Sequence, residues 1–487
     1  MNFMITFNQH ELNKIERPSD LTGHHSFLSQ VRLRQGGVWV VELFPPSHYK
    51  ALERALRKNK LGEAYYRRLE DPLKKQLRRA RDGRGFAWTL IGHIVRLNAS
   101  YLAPDARHED LPTEFDHIEL SAVQLRTSVT ALVAFFHLSK AGEKSLDEVW
   151  RRKHAPTLTW QGIHRPKTTG SYFASIEATQ RERMRIHNLT RAWISGRCPG
   201  FFTSLNNNTH PVLDLNLFDG LDPFTEPDNR EVSNSLRLLG MDSWIHHRYI
   251  SPQMAGTVLI PTYKRDGPHK PLHNCWAIAG EYARSMGENE RTGYGNKPYA
   301  PGTIGQIFNG AAREFILHLA TMAYLSEQRA MYSTSRDVAT TQHSRFTARR
   351  ASKLSVELLE SGLDLPAVAR ASQILWTESH LQFDGIDVQA VPIESRGSNL
   401  EPFDLLEFFG KQRDAEFDQL IKEAESYRTV LSTVAAIGAS ANTARTGQIA
   451  LAVAIGSMIV ALLALLVTPT SDSLLWSTLI KWLELRI

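Results

Sequence analysis

The hydrophobic pattern of this chain changes near its C-terminal end, where an uncharged run replaces the amphipathic periods found elsewhere. Residues 449–467 read IALAVAIGSMIVALLALLV, and eleven of these nineteen are Leu, Ile or Val. As a helix the run is about 28 Å long, close to the hydrocarbon thickness of a bilayer. We therefore predict a transmembrane helix over 447–468, with a helix buried in a soluble core as the alternative.

The body before this helix contains short runs that are typical of strands. They are enriched in β-branched and aromatic residues and are bounded by turn residues. The stretch 118–138 fits a long helix or two strands, and its Thr, Val and Phe content favours two strands. The predicted strand regions are 36–44, 118–138, 212–218, 256–263 and 275–280.

Helical periods alternate with these strands and dominate the second half of the body. Ser145 and Glu148 form a capping-box signature, which predicts that a helix begins at Ser145. The Gly-, Asn- and Pro-rich residues 285–310 predict a long loop. Further helices are predicted over 171–195, from Gly310 onward, over 337–361, over 365–383 and from Phe403 onward.

Together these elements predict an α+β cytosolic body, helix-rich in its C-terminal half, followed by a long stalk helix and one transmembrane helix. With 22% charged and 42% apolar residues, the chain is neither disordered nor polytopic. The predicted regions are an α/β region at 1–160, a mixed α+β region at 161–300, a helical region at 301–402, the stalk helix at 403–446, the transmembrane helix at 447–468 and an interfacial amphipathic helix at 469–487.

The predicted stalk carries a heptad seam between 417 and 441. Such a seam predicts either packing along the same chain or a homo-oligomer formed through 417–441. Small residues in its last third allow close approach of backbones. The seam consists of Phe417, Leu420, Ala424, Tyr427, Leu431, Val434, Gly438 and Ala441.

The location of the body is predicted from two features. The N-terminal residues have no apolar core of signal-peptide length, and two cysteines give no disulfide framework. We therefore expect a cytoplasmic body on the plasma (inner) membrane. In the tail, Trp476, Lys481 and Trp482 suit an interfacial helix, with a short re-entrant hairpin as the alternative.

A basic patch lies between residues 53 and 84, where twelve Lys or Arg residues face only five acids. This surplus exceeds the net charge of +6, so the rest of the chain is about neutral. Anionic lipid or nucleic acid is the predicted partner, and a solvated helix face is the alternative. The cations are Arg54, Arg57, Lys58, Lys60, Arg67, Arg68, Lys74, Lys75, Arg78, Arg79, Arg81 and Arg84.

Two Arg–His pairs on predicted helices carry the candidate catalytic chemistry. They are Arg181 with His187 and Arg313 with His318. Their spacing resembles the Arg–His signature of helical ribonuclease domains. That resemblance implies an Arg that stabilises phosphorane charge and a His that moves a proton.

Metal and cofactor signals are sparse. His269, His273 and Cys275 form the one cluster of soft ligands, but Pro271 separates the histidines and no second pair completes a tetrahedral set. No phosphate-binding Gly-rich loop or hydrolase motif occurs in the sequence, so no cofactor is predicted.

The function predicted from the sequence is a C-terminally anchored binding, sensing or scaffold protein. A membrane-attached nuclease-like enzyme and an oligomeric pore are the alternatives. The stalk-then-span layout is similar to that of the magnesium-channel family, but the Gly-Met-Asn loop of that family is absent. Residues 237–244 and 256–261, together with the helix-rich tract after residue 303, resemble bacterial membrane-anchored proteins, which implies no particular activity.

Overall fold

The structure is a computed structural model, and it describes most of the body and the last long helix. The described residues are 4–6, 30–62, 73–83, 88–97, 106–125, 128–160, 166–205, 209–223, 229–241, 247–262, 274–289, 301–341, 364–373, 386–393 and 400–467.

Strands in the described residues form two sheets. They are β1 (Met4–Thr6), β2 (Arg32–Phe44), β3 (Trp88–Arg96), β4 (Arg107–Glu109), β5 (Phe115–Leu125), β6 (Val129–Leu138), β7 (Thr157–Trp160), β8 (Pro166–Thr169), β9 (Val212–Asp219), β10 (His247–Ile250), β11 (Thr257–Pro261), β12 (Cys275–Glu281), β13 (Gln389–Pro392) and β14 (Phe403–Asp404).

The helices of the described residues are numbered in chain order. They are α1 (Tyr49–Lys58), α2 (Leu73–Arg81), α3 (Lys140–Arg151), α4 (Ser171–Arg197), α5 (Phe201–Ser204), α6 (Arg230–Leu238), α7 (Tyr282–Asn289), α8 (Pro301–Thr341) and α9 (Leu405–Val467), with helical residues also at 364–373 and short 3-10 turns at Pro46–His48 and Pro252–Met254.

The larger sheet has eleven strands in the order β14-β13-β10-β11-β12-β9-β2-β6-β5-β3-β4, and the smaller has the order β1-β7-β8. Pairing in the larger sheet is antiparallel except at β9–β12 and β3–β4, which are parallel. Strand β2 lies in the middle between β6 and β9. Its side chains are buried on both faces, which explains why residues 36–44 are almost continuously apolar.

Helices cover both faces of this sheet. On the first face, Val38 and Val40 of β2 share one hydrophobic core with apolar residues of α1, α2, α3, α4 and α6. On the second face, Trp39 stacks on Phe135 at 4.1 Å between ring centroids and donates to Asn309 of α8 at 2.9 Å. Two-sided covering buries the sheet, so its strands read as apolar runs instead of alternating patterns.

The strand predictions are confirmed in type and approximate position. The predicted strand pair over 118–138 is β5 and β6, which pair antiparallel. Strands at 36–44, 212–218, 256–263 and 275–280 correspond to β2, β9, β11 and β12. The chain is thus a mixed α/β protein with one large sheet, and strands from residues 32 to 404 contribute to that sheet.

Two boundary predictions are wrong, for local reasons. The helix predicted to begin at Ser145 begins at Lys140, because Ser139 is the N-cap and its Oγ accepts from the Gly142 N–H at 3.1 Å. Ser145 instead lies inside α3 and donates to Glu182. The predicted loop over 285–310 contains the end of α7 and the start of α8, and Pro301 occupies the first turn of α8.

Several predicted segments lie outside the described residues. These are 290–300 of the predicted loop, 342–361 and 374–383 of the predicted helices, and the tail at 469–487.

The chain divides into two compact units. The body unit is Met1–Thr334 with Glu360–Glu423, and the second unit is Ser335–Leu359 with Ala424–Ile487. Helix α9 contributes to both. Phe417, Leu420 and Ala424 of the predicted seam are buried within the single chain. The side chains of the later seam positions lie outside the described residues, so a stalk and self-association through 417–441 stay predictions.

Candidate functional site

The C-terminal part of α9 presents an apolar surface on every side. Among the described residues, Gly447–Ala464 is the one helical window long and apolar enough to cross a membrane, and none of it is buried. The exposed large side chains are Ile449, Leu451, Val453, Ile455, Met458, Ile459, Val460, Leu462 and Leu463. Such a patch on a soluble surface marks an interaction site, because water hydrates it unfavourably.

Helices α1 and α2 form a second candidate surface, which is basic. Each helix buries one apolar stripe in the core of the first face, including Leu52 and Leu56 of α1 and Leu73 and Leu77 of α2. The opposite sides of these amphipathic helices point outward. The exposed cations of the predicted patch are Arg54, Arg57, Lys58, Lys60, Lys74, Lys75, Arg78 and Arg79, while Arg67, Arg68 and Arg84 lie outside the described residues.

Part of this basic surface is neutralised internally. Glu53 accepts from Arg78 at 2.6 Å and lies 3.6 Å from Lys74. The hydrogen bond from Arg78 outweighs partial burial and lowers the pKa of Glu53. Arg81 stacks over the Tyr49 ring at 3.9 Å and donates to Thr130, and burial lowers its pKa.

The remaining charge of the surface is concentrated at the end of α1. Within the described part of the chain, Arg54, Arg57, Lys58 and Lys60 have no carboxylate partner. Lys60 follows the C-cap Asn59 with a φ of 49°, in the left-handed region. The Leu61 N–H bonds to the Leu56 carbonyl at 3.0 Å, which completes a Schellman motif with Lys60 where glycine is usual.

A third candidate is a buried charge cluster between α4 and the sheet. Asp214 of β9 is fully buried and accepts from Arg183 Nε at 2.8 Å. Its other oxygen lies 2.7 Å from His187 Nε2. Burial alone raises the pKa of Asp214, but His187 and Arg183 outweigh it and lower that pKa. Arg183 also donates to the Leu239 carbonyl and to Thr262, so its guanidinium is well satisfied.

Cys275 lies at the edge of this cluster on β12. It is buried, and Arg191 Nη2 approaches its sulfur at 3.5 Å. Burial raises the pKa of the Cys275 thiol, whereas the neighbouring His187 and the charges of Arg191 and Arg183 lower it, with a net result of about 7. An acid, a base and a thiol are therefore assembled in a place sealed from solvent.

The first predicted Arg–His pair is divided by the structure. Arg181 is exposed on α4, whereas the His187 side chain is buried and contacts Asp214. The cation that shares the carboxylate with His187 is Arg183, one helical turn away. A catalytic role for Arg181 and His187 stays a prediction.

Both members of the second pair are buried on the second face of the sheet. Arg313 donates to Ser121 Oγ at 3.1 Å and lies over the Trp88 ring. Burial, with Arg413 nearby, lowers the pKa of His318 to about 3, so His318 is neutral at physiological pH. Their catalytic role likewise stays a prediction.

The predicted metal ligands are only partly described. His269 and His273 lie outside the described residues, and Cys275 contacts Arg191. In the described part of the chain, no group of three or more His, Cys, Asp or Glu side chains is arranged to hold a metal ion.

Sequence reasoning missed Asp214 and Arg183. The available signals were an acid within the apolar strand VLDLNLF and the spacing of Arg183 and His187, which places them on one helix face. Neither signal identifies its partner, because α4 and β9 meet only in the folded chain.

Comparison with known proteins gives no further assignment. The chain matches no protein-family model and no curated protein sequence.

Proposed function

We propose that this protein is a membrane-anchored binding protein, held at the bilayer by residues 449–467 and engaging anionic lipid headgroups through the basic surface of α1 and α2. The observation that carries the proposal is the uncharged helix Gly447–Ala464, of which no residue is buried. Its Leu, Ile and Val residues each favour insertion by about 0.3–0.6 kcal/mol at the membrane centre.

A bilayer fits this helix better than a protein groove does. The exposed apolar side chains at Val453 and Ile455 lie on opposite sides of the helix, since residues two apart differ by about 200°. A groove covers one side of a helix, as in helix-in-groove recognition. Lipid acyl chains surround a transmembrane helix on all sides.

Anionic lipid is the favoured partner of the basic surface. A body tethered to a bilayer meets headgroups at high effective concentration. Each Lys or Arg near an anionic leaflet contributes about 1 kcal/mol. The cations without carboxylate partners, such as Arg57 and Lys58, would supply this attraction. Nucleic acid is the competing outcome of the test below.

A cytoplasmic position of the body is part of the proposal. The anionic leaflet of a plasma membrane faces the cytoplasm. Cys198 and Cys275 are both free and buried, which suits a reducing compartment.

The anchor is tested on the full chain by double substitution of Ile455→Arg and Ile459→Arg. Each central Arg opposes insertion by about 2.5–3.5 kcal/mol. The variant is expected to leave the membrane fraction and to appear in the soluble fraction after alkaline extraction. A matched variant with Ile455→Leu and Ile459→Leu should remain in the membrane. Retention of the Arg variant would contradict the anchor.

The basic surface is tested in the Ile455→Arg, Ile459→Arg chain by flotation with neutral or anionic vesicles. Replacing Arg54, Arg57 and Lys58 with Gln and Lys60 with Gly is expected to weaken binding to anionic vesicles about 100-fold or more. Four exposed cations elsewhere on the body that have no carboxylate partner among the described residues, Arg152, Lys153, Arg370 and Lys422, provide the matched control when replaced by Gln.

Three outcomes would contradict lipid binding by this surface. They are equal binding to neutral and anionic vesicles, an equal loss in the matched control, and tighter salt-dependent binding to RNA or DNA than to vesicles.

A further inference from the structure

An open cavity lies at one end of the large sheet, away from α1 and α2 and from the buried cluster. Its volume is about 440 Å³, within the range of small-molecule sites. Strands β10, β11 and β13 form its floor, and α7 and the segment before β11 form its walls. Arg248 of β10 lies directly opposite Val391 of β13, and both line the cavity.

The polar side chains that line the cavity have partners within the protein, with one exception. Arg284 is shared between Asp222 at 3.0 Å and Glu288 at 2.8 Å. Ser251 donates to Gln253, Thr257 donates to the Met254 carbonyl, and Gln389 donates to Asp387.

Arg248 is the exception. Its Nε is buried from solvent and has no hydrogen-bond partner. Among the described residues no carboxylate pairs with its guanidinium. Arg248 lines the cavity and is part-exposed, so an anionic ligand there would meet a guanidinium that no described carboxylate neutralises.

The rest of the floor is apolar. Ile250, Val258 and Val391 line the cavity around Arg248, and Ile250 and Val391 are exposed to solvent. One unpaired guanidinium fork beside apolar side chains matches one carboxylate attached to an apolar group. A dianionic group would bring a second charge, which the Asp222–Arg284–Glu288 set does not compensate.

We propose that this cavity binds a small amphipathic carboxylate, with the carboxylate on Arg248 and the apolar part over Ile250, Val258 and Val391. The site is independent of the membrane anchor and of the basic surface. It makes the body a receptor for a small molecule.

The test uses the full chain in nanodiscs of neutral lipid, with empty nanodiscs as the blank. The probe is 3-phenylpropionate, and 3-phenylpropanol and 3-phenylpropylamine are its matched analogues, all followed by titration calorimetry. Saturable binding of the carboxylate is expected, with the alcohol and the amine at least about tenfold weaker.

Variants locate the site. Arg248→Gln is expected to weaken carboxylate binding about 10–100-fold. Arg248→Lys should recover only part of the affinity, because an ammonium cannot make the two parallel bonds of the guanidinium. Val391→Trp fills the cavity and should abolish binding, whereas Arg370→Gln, an exposed arginine outside the cavity, should leave affinity unchanged.

Each contrary result overturns the proposal. These results are no saturable binding of 3-phenylpropionate up to roughly 10 mM, equal binding of the alcohol, and an unchanged affinity in folded Arg248→Gln. None of them bears on vesicle flotation, so this site and the membrane proposal can fail separately.

Discussion

The cluster around Asp214 and the helix Gly447–Ala464 depart from ordinary burial in opposite directions. The first places an acid, two arginines and a histidine in the interior beneath α4. The second leaves nine large apolar side chains exposed. Large exposed apolar patches and buried charges are both uncommon in soluble proteins, so both features need a physical compensation.

The two compensations differ in origin. Asp214 has Arg183 and His187 as hydrogen-bonded neighbours within the same fold, so the chain itself stabilises the charge. Among the described residues nothing buries the helix Gly447–Ala464. The proposed membrane anchor assigns the covering of this helix to lipid. The buried charges around Asp214 therefore stabilise the fold, whereas the exposed apolar helix is a candidate binding surface.

The largest expected effect comes from removing the carboxylate of Asp214, which pairs with Arg183 in the interior. Asp214→Ala leaves Arg183 buried without its carboxylate, and should lower the free energy of unfolding by about 3–5 kcal/mol in urea unfolding of the full chain in neutral detergent. Asp219→Ala is the control, because its pair with Arg34 is part-exposed and should cost at most about 1 kcal/mol. A loss at Asp214 no larger than at Asp219 would show that the cluster is not compensated as described.

Single charged substitutions on opposite sides of the apolar helix test whether lipid or a protein groove covers it. Val453→Arg and Ile455→Arg lie at similar depth but about 200° apart. A bilayer predicts similar losses of membrane insertion, each about 2.5–3.5 kcal/mol, measured by partition between membrane and soluble fractions. A protein groove predicts that one substitution matters and the other does not.

The thiol of Cys275 should make the free energy of unfolding depend on pH. Its pKa is about 7 in the fold against an ordinary value of 9.0, so the folded chain binds fewer protons than the unfolded chain between these values. The stability that this thiol contributes should therefore be fully present above pH 9 and should fall as the pH drops to 7, by at most about 2–3 kcal/mol.

Urea unfolding across pH 7–9, compared between the native chain and Cys275→Ala, measures this contribution. In Cys275→Ala the free energy of unfolding should no longer rise with pH between 7 and 9 through this thiol. An identical slope in both chains would mean that another group titrates there.

The smallest expected effect is at Gly456 in the apolar helix. A Cβ at Gly456 meets no atom within 4 Å, so Gly456→Leu should change the free energy of unfolding by less than about 0.5 kcal/mol and keep the chain in the membrane. Gly305→Ala is the contrasting control, because a Cβ there would overlap the Phe135 ring and should destabilise the body. Equal losses at both positions would reveal close packing around Gly456.

Local patterns determined much of this protein by themselves. The apolar run at 449–467 and the strands at 36–44 and 212–218 follow from composition and period, because burial on both faces selects continuous apolar residues. The helix start at Lys140 was missed because Ser139 and Ser145 offer the same side chain, and only packing selects the cap.

The tertiary structure alone decided which polar residues meet. Asp214 joins Arg183 across 31 positions of sequence, and the cavity sets Arg248 opposite Val391 through pairing of two distant strands. No spacing along the chain encodes such pairs, because they depend on strand order and on the face to which each side chain points. The sequence determined where this chain is apolar. Among the described residues, only the fold determined which charged groups have a partner, as Asp214 has, and which, such as the Arg248 Nε, have no hydrogen-bond partner.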